Sequence, residues 1–434
     1  MYIEKVTLKN IRGFADLEFD LARPDKKYAG WTVFTGDNGS GKSTLLKAIA
    51  IALTGKDTAR ALQPSFHRWI KDGKAAEDEA FVQLEIVRVA SDDAIKKQGN
   101  KPAAHFPAKI VFVNGGRETT LSAPVPSGKG QKYAPPDRTI WSLDAEGWFS
   151  CGYGPFRRVF GASPEAMRVM VAPATERFVT MFQEAASLAE VDQWLRNLKH
   201  KELESKADER RQLALLLEFL RDDLMPNQIT VERVDSDGLW LKDRNGVQLS
   251  WGEMSDGYRA ALALLADILR HLINAYGMDD LAERDANNKL VVKRSGVVLI
   301  DEIDAHLHPE WQQKIGFWLK QHFPHIQFLV TTHSPIICQA ADENGLFVLP
   351  EPGSGNAPRA LTTDEYRKVI ASRPDTILLT PAFGLQNTRS PRAVEGRAEI
   401  AKLEAKKRAG GVLTAAEVKR EQQLDMFATH EDEQ

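Results

Sequence analysis

Thr32-Val33-Phe34-Thr35 runs into Gly36-Asp37-Asn38-Gly39-Ser40-Gly41-Lys42-Ser43-Thr44, and the mostly apolar segment Leu45 to Leu53 follows. The order is a short buried strand, a glycine-rich loop and a helix. The loop fits G-x-x-x-x-G-K-[ST] in the strand–loop–helix context that gives the pattern its meaning. Gly36, Gly39 and Gly41 let backbone N–H groups turn inward around phosphate oxygens, with Asn38, Ser40 and Thr44 in the same contact set. Lys42 then places a cation on the β and γ phosphates of ATP. Ser43 supplies a hydroxyl ligand for Mg²⁺, and the helix N-terminus adds its dipole. A glycine-rich turn with a fortuitous Lys-Ser is the competing reading, and it leaves the strand, loop and helix order unexplained.

A second motif lies far downstream. Val297-Val298-Leu299-Ile300 is an apolar run ending in Asp301-Glu302. A central parallel strand is apolar on both faces, and ligands of open α/β sheets sit at the carboxyl ends of such strands. Asp301 is therefore expected beside the phosphate loop, holding Mg²⁺ directly or through water. Glu302, the next residue, is placed to polarise the attacking water. Asp304 opens the following turn. His306 and His308 stand one residue apart without further ligands, so they read as structural. After another strand, Leu329-Val330-Thr331-Thr332 ends in His333, a candidate hydrogen-bond donor to a γ-phosphate and its water.

The rest of the chain sets limits. It has 434 residues, of which 43% are hydrophobic and 27% charged, an ordinary globular composition able to build a sizeable core. Lys+Arg total 57 and Asp+Glu 60, so a net charge of −3 gives no whole-chain signature of a nucleic-acid binder. The two cysteines, Cys151 and Cys338, make neither a disulfide framework nor a zinc site, and a reducing cytoplasm is the expected compartment. The first residues alternate like a strand and lack a signal peptide's apolar run. No stretch reaches the ~18 apolar residues of a membrane span.

Pattern and composition suggest five regions. Residues 1–90 are an N-terminal lobe holding the phosphate loop, and they open with a hairpin over 2–22 that turns at Arg12-Gly13. Residues 91–160 are a β-rich, loop-rich insertion, with a hairpin at Ile110–Val113 and Asn114-Gly115-Gly116. Residues 161–226 are a helical subdomain ended by Pro226. Residues 227–350 are a second lobe, in which 276–294 reads as a surface loop. Residues 351–434 are a helical extension with an acidic end at 430–434. Lys199, His200, Lys201, Lys206, Arg210 and Arg211, and later Lys406-Lys407-Arg408, are basic but interleaved with acids. They read as solvated helix faces before they read as a nucleic-acid surface.

Met254-Ser255-Asp256-Gly257-Tyr258-Arg259, opening a long apolar helix, resembles the signature of ABC-type ATPases, whose usual form is Leu-Ser-Gly-Gly-Gln. Asp256 stands for a Gly and Tyr258 for the Gln. That departure resembles the RecF, SMC and OLD branch, as do Leu8-Lys9-Asn10-Ile11-Arg12-Gly13-Phe14 and the run Leu299 to Pro309 with Thr331 to Pro335. Gly152 to Arg158 and Arg177 to Phe182 are similar in style to the small, PtuA-like ATPases of bacterial anti-phage defence. The resemblance implies an α/β P-loop ABC-ATPase head: a mixed central sheet, an antiparallel β subdomain, an inserted helical subdomain and a helical C-terminal tail. It implies Lys42 as phosphate lysine, Ser43 and Asp301 as Mg²⁺ ligands, Glu302 as catalytic base and His333 as γ-phosphate sensor. It makes Asp304 part of a loop crossing between subunits. Ser255 and Gly257 would contact the ATP held by a second copy, in a head-to-tail C₂ sandwich. The Q-loop glutamine is left open between Gln83 and Gln183.

The function expected from these residues is ATP hydrolysis coupled to dimerisation, switching a partner effector. That effector is expected to be a nuclease on a separate chain, because the 101 residues after His333 show no acidic strand-end cluster or HNH pattern. DNA or RNA is a further candidate partner, and no membrane partner is expected. A DNA-repair or chromosome-maintenance ATPase is the alternative, and a transporter subunit the third reading.

Overall fold

The computed structural model describes residues 1–73, 78–95, 100–116, 118–124, 133–142, 145–157, 173–184, 188–225, 228–350, 354 and 356–424. Arg158, the first part of the 161–226 region, Pro226 and the acidic end at 430–434 lie outside them. The described chain divides into two compact units, Met1–Ser372 and Arg373–Gln434.

The first unit is built on two sheets. In one, Ser150–Tyr153, Gly296–Ile300, Ile326–Thr331, Gly30–Thr35 and Leu346–Val348 lie side by side and parallel, with Arg359–Ala360 antiparallel at the edge. Every residue of Gly296–Ile300 and of Ile326–Thr331 is buried, as continuous Val/Ile/Leu/Phe runs require of strands covered on both faces. The second sheet is antiparallel, in the order Phe14–Asp20, Tyr2–Ile11, Ala80–Val87, His105–Asn114, Thr119–Ser122. The expected hairpin over 2–22 forms its edge. The hairpin expected within 91–160 continues the same sheet, so those strands extend the N-terminal lobe.

The helix Lys42–Leu62 starts directly after the phosphate loop and lies between the two sheets. Leu45, Ile49 and Leu53 share one core cluster with Val6, Leu8, Val82 and Leu84 of the antiparallel sheet and with Phe34, Leu299 and Leu329 of the parallel one. Alternate residues of the parallel strands face the other way. There Trp31 and Phe328 meet with ring centroids 5.4 Å apart, as the period of two along a strand requires. Gly55, at φ 79°, kinks the helix. Its missing Cβ leaves room for the Trp141 ring, whose Nε1 donates to Ala52 O at 2.8 Å.

The described part of the helical region holds two short helices, Pro173–Glu176 and Val179–Phe182, and two longer ones packed together, Ala189–Leu203 and Ala207–Arg221. A three-stranded sheet, Thr230–Asp235, Gly238–Lys242 and Gln248–Ser250, leads into the long helix Asp256–Tyr276. Residues 276–294 are not the plain loop expected. Ala282–Arg284 pairs with Leu290–Val292 across a turn in which Asp285 Oδ1 accepts from the N–H groups of Asn287 and Lys289, both at 2.8 Å. The second unit holds the helices Pro391–Arg408 and Ala415–Leu424, joined by ion pairs from Lys406 to Glu417, Lys407 to Glu421 and Arg420 to Glu399.

The two sheets are tied by a buried amide. Gln327 Oε1 accepts from Ile3 N and Gln327 Nε2 donates to Ile3 O, each at 2.8 Å. Gln327→Leu keeps the volume but strands a buried donor and a buried acceptor, each costing about 1–3 kcal/mol. Urea denaturation should show that loss, and an unchanged midpoint would mean that the antiparallel sheet is held without this tie.

Candidate functional site

The parallel strands end at one edge of the sheet. Thr331 pairs with Phe34, Ile300 with Val330 and Tyr153 with Ile300. This register delivers four chain segments to a common place: Gly36–Ser43, Asp301–Ala305, Thr332–Ser334 and Gly154–Arg157.

The phosphate loop is shaped by close approach. Gly36 has φ 145°, and a Cβ there would stand 2.4 Å from Leu349 O. Gly41 has φ 95°, and its Cβ would strike the Phe14 ring at 2.5 Å. The hairpin turn thus covers the loop. Arg12 Nη1 also donates to Thr44 Oγ1 at 3.4 Å while its guanidinium stacks over Trp69. Asn38 and Gly39 are exposed. Ser40 Oγ is buried without a hydrogen-bond partner. Lys42 Nζ donates to Gly36 O and Asp37 O, both at 2.9 Å, and so is curled back onto its own loop. Burial pushes the Lys42 ammonium below its ordinary range, and the nearby Asp301, Glu302, Asp37 and Asp304 oppose that shift. Ser43 and Thr44 stand in the first helical turn.

Asp301 is 1% exposed. Its Oδ1 accepts from Thr331 Oγ1 at 2.5 Å, while Oδ2 is buried with no hydrogen-bond partner among the described residues. Such an atom fits a divalent cation, because an ionised carboxylate oxygen left unpaired in the interior is costly. Glu302 follows at φ 46°, a left-handed conformation for a non-glycine residue. Its N–H donates to Thr331 Oγ1 at 2.7 Å, and its half-buried carboxylate has no hydrogen bond to the described residues. Asp304 Oδ1 accepts from Thr332 Oγ1 at 2.5 Å. His333 is exposed at the same edge. His306 and His308 are exposed too, and His308 Nδ1 accepts from Glu310 N at the start of the helix Pro309–His322. That is the structural role expected of it.

Ser255 caps the helix Asp256–Tyr276, is exposed, and makes no side-chain capping bond. Gly257 lies under the Asp304–His308 turn, where a Cβ would stand 2.5 Å from His306 O. Of the two glutamines, Gln83 donates within the antiparallel sheet to Glu85 at 2.8 Å, and Gln183 donates to Leu62 O at 3.3 Å. Neither lies on Gly154–Arg157, the segment leaving the strand beside Gly296–Ile300.

Two contributors escaped sequence reasoning. In sequence Thr331 stands only as the end of a strand and the start of a family-like run, yet its hydroxyl joins Asp301 to Glu302. Arg157 stands in sequence only within a stretch of family style, yet it is 4% exposed and lies against the backbone of the Asp301–Ala305 turn. A backbone-directed arginine leaves no sequence pattern.

A strand-to-loop phosphate cradle and a strand-end carboxylate on one sheet edge define a P-loop ATPase head. Residues 5–224, just over half of the chain, match the family described as "AAA domain", and the chain belongs to it. Residues 177–339 match "AAA domain, putative AbiEii toxin, Type IV TA system". Its motifs are similar to those of ABC-type ATPases of the SMC and RecF branch, and its sequence is similar to PtuA-like proteins. It is 24% identical over 391 residues to the Septu protein PtuA of Bacillus mycoides (strain KBAB4), covering 89% of this chain and 45% of that protein. It is 42% identical over 121 residues to the Retron Ec83 probable ATPase of Escherichia coli, covering 28% of this chain and 21% of that one. The chain thus spans less than half the length of these relatives. The SMC head domain from Thermotoga maritima aligns with a TM-score of 0.42 and 15% identity, over 84% of this chain and 100% of that domain. Among the described residues, no helix is long and apolar enough to cross a membrane.

Thr331→Val removes the acceptor of the Glu302 N–H and the donor to Asp301. Leaving that N–H unpaired should cost about 1–3 kcal/mol, whereas Thr331→Ser keeps both bonds. Equal urea midpoints for the valine and serine variants would show that the hydroxyl does not hold this turn.

Proposed function

We propose that the chain hydrolyses ATP as a head-to-tail dimer and uses that cycle to switch a partner effector, a nuclease on a separate chain, in bacterial anti-phage defence. The observation that carries the ATPase reading is the shared sheet edge, where the Lys42 loop, the unpaired Asp301 Oδ2 and the Glu302 carboxylate converge. Within this reading, residues 1–90 and 227–350 are the two ATPase lobes, 91–160 and 161–226 are elaborations between them, and 351–434 is an extension.

Lys42 leaves the carbonyls of its own loop and binds the β and γ phosphates, while the inward N–H groups hold the rest. Ser43 and Asp301 would hold Mg²⁺, which when bound neutralises phosphate charge. Glu302 takes a proton from the attacking water as general base, and His333 contacts the γ-phosphate. Ser255 is exposed at a helix N-terminus, a place suited to a phosphate carried by another copy. Similarity to a Septu protein PtuA and to a retron ATPase favours defence over repair. Direct binding of nucleic acid has little support: Lys199, Lys201, Arg211, Lys406, Lys407 and Arg408 all face carboxylates in ion pairs.

Lys42→Ala should weaken ATP binding by about tenfold or more, as the loss of a charge-assisted bond implies. Glu302→Gln should retain binding and accumulate the closed dimer, with turnover about 10²–10⁴-fold lower. Wild-type turnover in either variant would remove the corresponding role.

Mixing Ser255→Arg with Lys42→Ala subunits tests the trans arrangement. Each heterodimer then has one site with an intact loop facing an intact signature, so partial activity should return. If Ser255 served its own chain's ATP, neither chain would hold a complete site, and proven subunit exchange would restore nothing.

A further inference from the structure

The turn after Gly296–Ile300 presents its polar backbone in two directions. Its N–H groups meet the neighbouring strand: Glu302 N donates to Thr331 Oγ1, and Ile303 N to Thr331 O at 3.0 Å. Its carbonyls converge on the opposite side, where their partial negative charges repel; Glu302 O accepts from Ala305 N at 2.9 Å, and the carbonyls of Asp301, Ile303 and Ala305 need donors from elsewhere.

Arg157 fills that place. Nη1 donates to Asp301 O at 2.8 Å and to Gly154 O at 3.2 Å. Nη2 donates to Glu302 O at 2.9 Å, Ile303 O at 3.3 Å and Ala305 O at 3.3 Å. The guanidinium stands close enough to Asp301, Asp304 and Glu302 that their charges favour its own, against a burial that lowers its pKa to about 10. It therefore offsets three clustered carboxylates while bonding to none of their side chains.

We propose that Arg157 is a positioning residue for hydrolysis: by gathering the carbonyls of Asp301, Glu302, Ile303 and Ala305, it fixes the direction of the Glu302 carboxylate. This rests on the ATPase reading above. The geometry explains why an arginine is needed. Its planar fork offers several donors in fixed directions, whereas a lysine ammonium is a compact point that cannot span four carbonyls. The turn also holds Glu302 at φ 46°, a conformation of the sort that persists only where its surroundings enforce it. Thr331 enforces it from one side and Arg157 from the other. Removing Arg157 takes no hydrogen bond from the phosphate loop, because none of those it makes is with residues 36–44.

The test compares wild type, Arg157→Ala and Arg157→Lys for ATP turnover and for backbone hydrogen exchange at residues 301–306. In Arg157→Ala, kcat should fall about 100-fold, as misplacement of a reacting group by an ångström implies. KM for ATP should stay within about threefold, since Lys42, Ser43 and the loop N–H groups that take the phosphates lie outside the turn. Arg157→Lys keeps charge and bulk, and so guards against simple misfolding. It should lose most of the same kcat. Millimolar guanidinium should restore part of the turnover in Arg157→Ala and none in Arg157→Lys, where the ammonium blocks the place. Amides 301–306 should exchange faster in both variants, with those of 42–54 unchanged.

A folded Arg157→Ala protein with near wild-type kcat, or with unchanged exchange at 301–306, would overturn the proposal. So would a rise in KM at constant kcat. No hydrolysis by the wild-type protein would instead defeat the ATPase reading. The exchange measurement would still decide whether Arg157 holds the turn.

Discussion

The parallel register between Gly30–Thr35, Ile326–Thr331 and Gly296–Ile300 is the constraint on which the site depends. Residues of one layer must end together if the loops that follow are to meet. Thr35, Thr331 and Ile300 do so, and the phosphate loop, His333 and Asp301 emerge from one edge. A slip of one residue in any of these strands would turn its side chains to the other face. Trp31 and Phe328, buried on one face, and Phe34 and Leu329, buried on the other, oppose such a slip because each fits only its own side.

The edge is stiffened by polar groups that the core cannot leave unpaired. Tyr153 OH donates to Asp267 Oδ2 at 2.9 Å, joining the strand Ser150–Tyr153 to the helix Asp256–Tyr276. Burial pushes the Asp267 carboxyl up, but His271 and Arg270 outweigh it and hold the group well below the usual carboxylate range. Arg270 in turn reaches Glu176 at 2.8 Å. Breaking one member of a buried set like this exposes the others to an uncompensated charge. The helix Asp256–Tyr276 is therefore anchored to the same sheet that carries Asp301.

What the sequence made legible follows from how each feature is encoded. The phosphate loop, Asp301-Glu302 and the two hairpins are local patterns, with glycine spacing or alternation fixed over a few residues, and their elements form where expected. The hairpin at Ile110–Val113 was legible as a hairpin but not as part of the N-terminal sheet, because strand partners across Ala80–Val87 leave no local mark. Asp285 hid the short antiparallel pair within 276–294, since its capping bonds look in sequence like ordinary loop polarity. Thr331 and Arg157 act on backbone atoms distant in sequence, by 29 residues for Thr331 and Glu302 and by 145 for Arg157 and Glu302. Only the fold brings such groups together.

The same contacts bear on how one site could respond to another. Arg157 bonds to Ala305 O, the next residue His306 lies against Gly257, and Gly257 begins the helix capped by the exposed Ser255. The clearance at Gly257 leaves no space for a Cβ, so the helix start and the turn cannot shift independently by much. Displacement of Ser255 by a phosphate or by a second copy would thus press on the turn that carries Asp301 and Glu302. Thr332, bonded to Asp304, extends the contact to the strand that ends at His333. Packed elements of this sort transmit small displacements because interiors are nearly close-packed and yield little. The Glu302 carboxylate and the surface at Ser255 are then joined by one short chain of contacts through the Asp301–His308 turn.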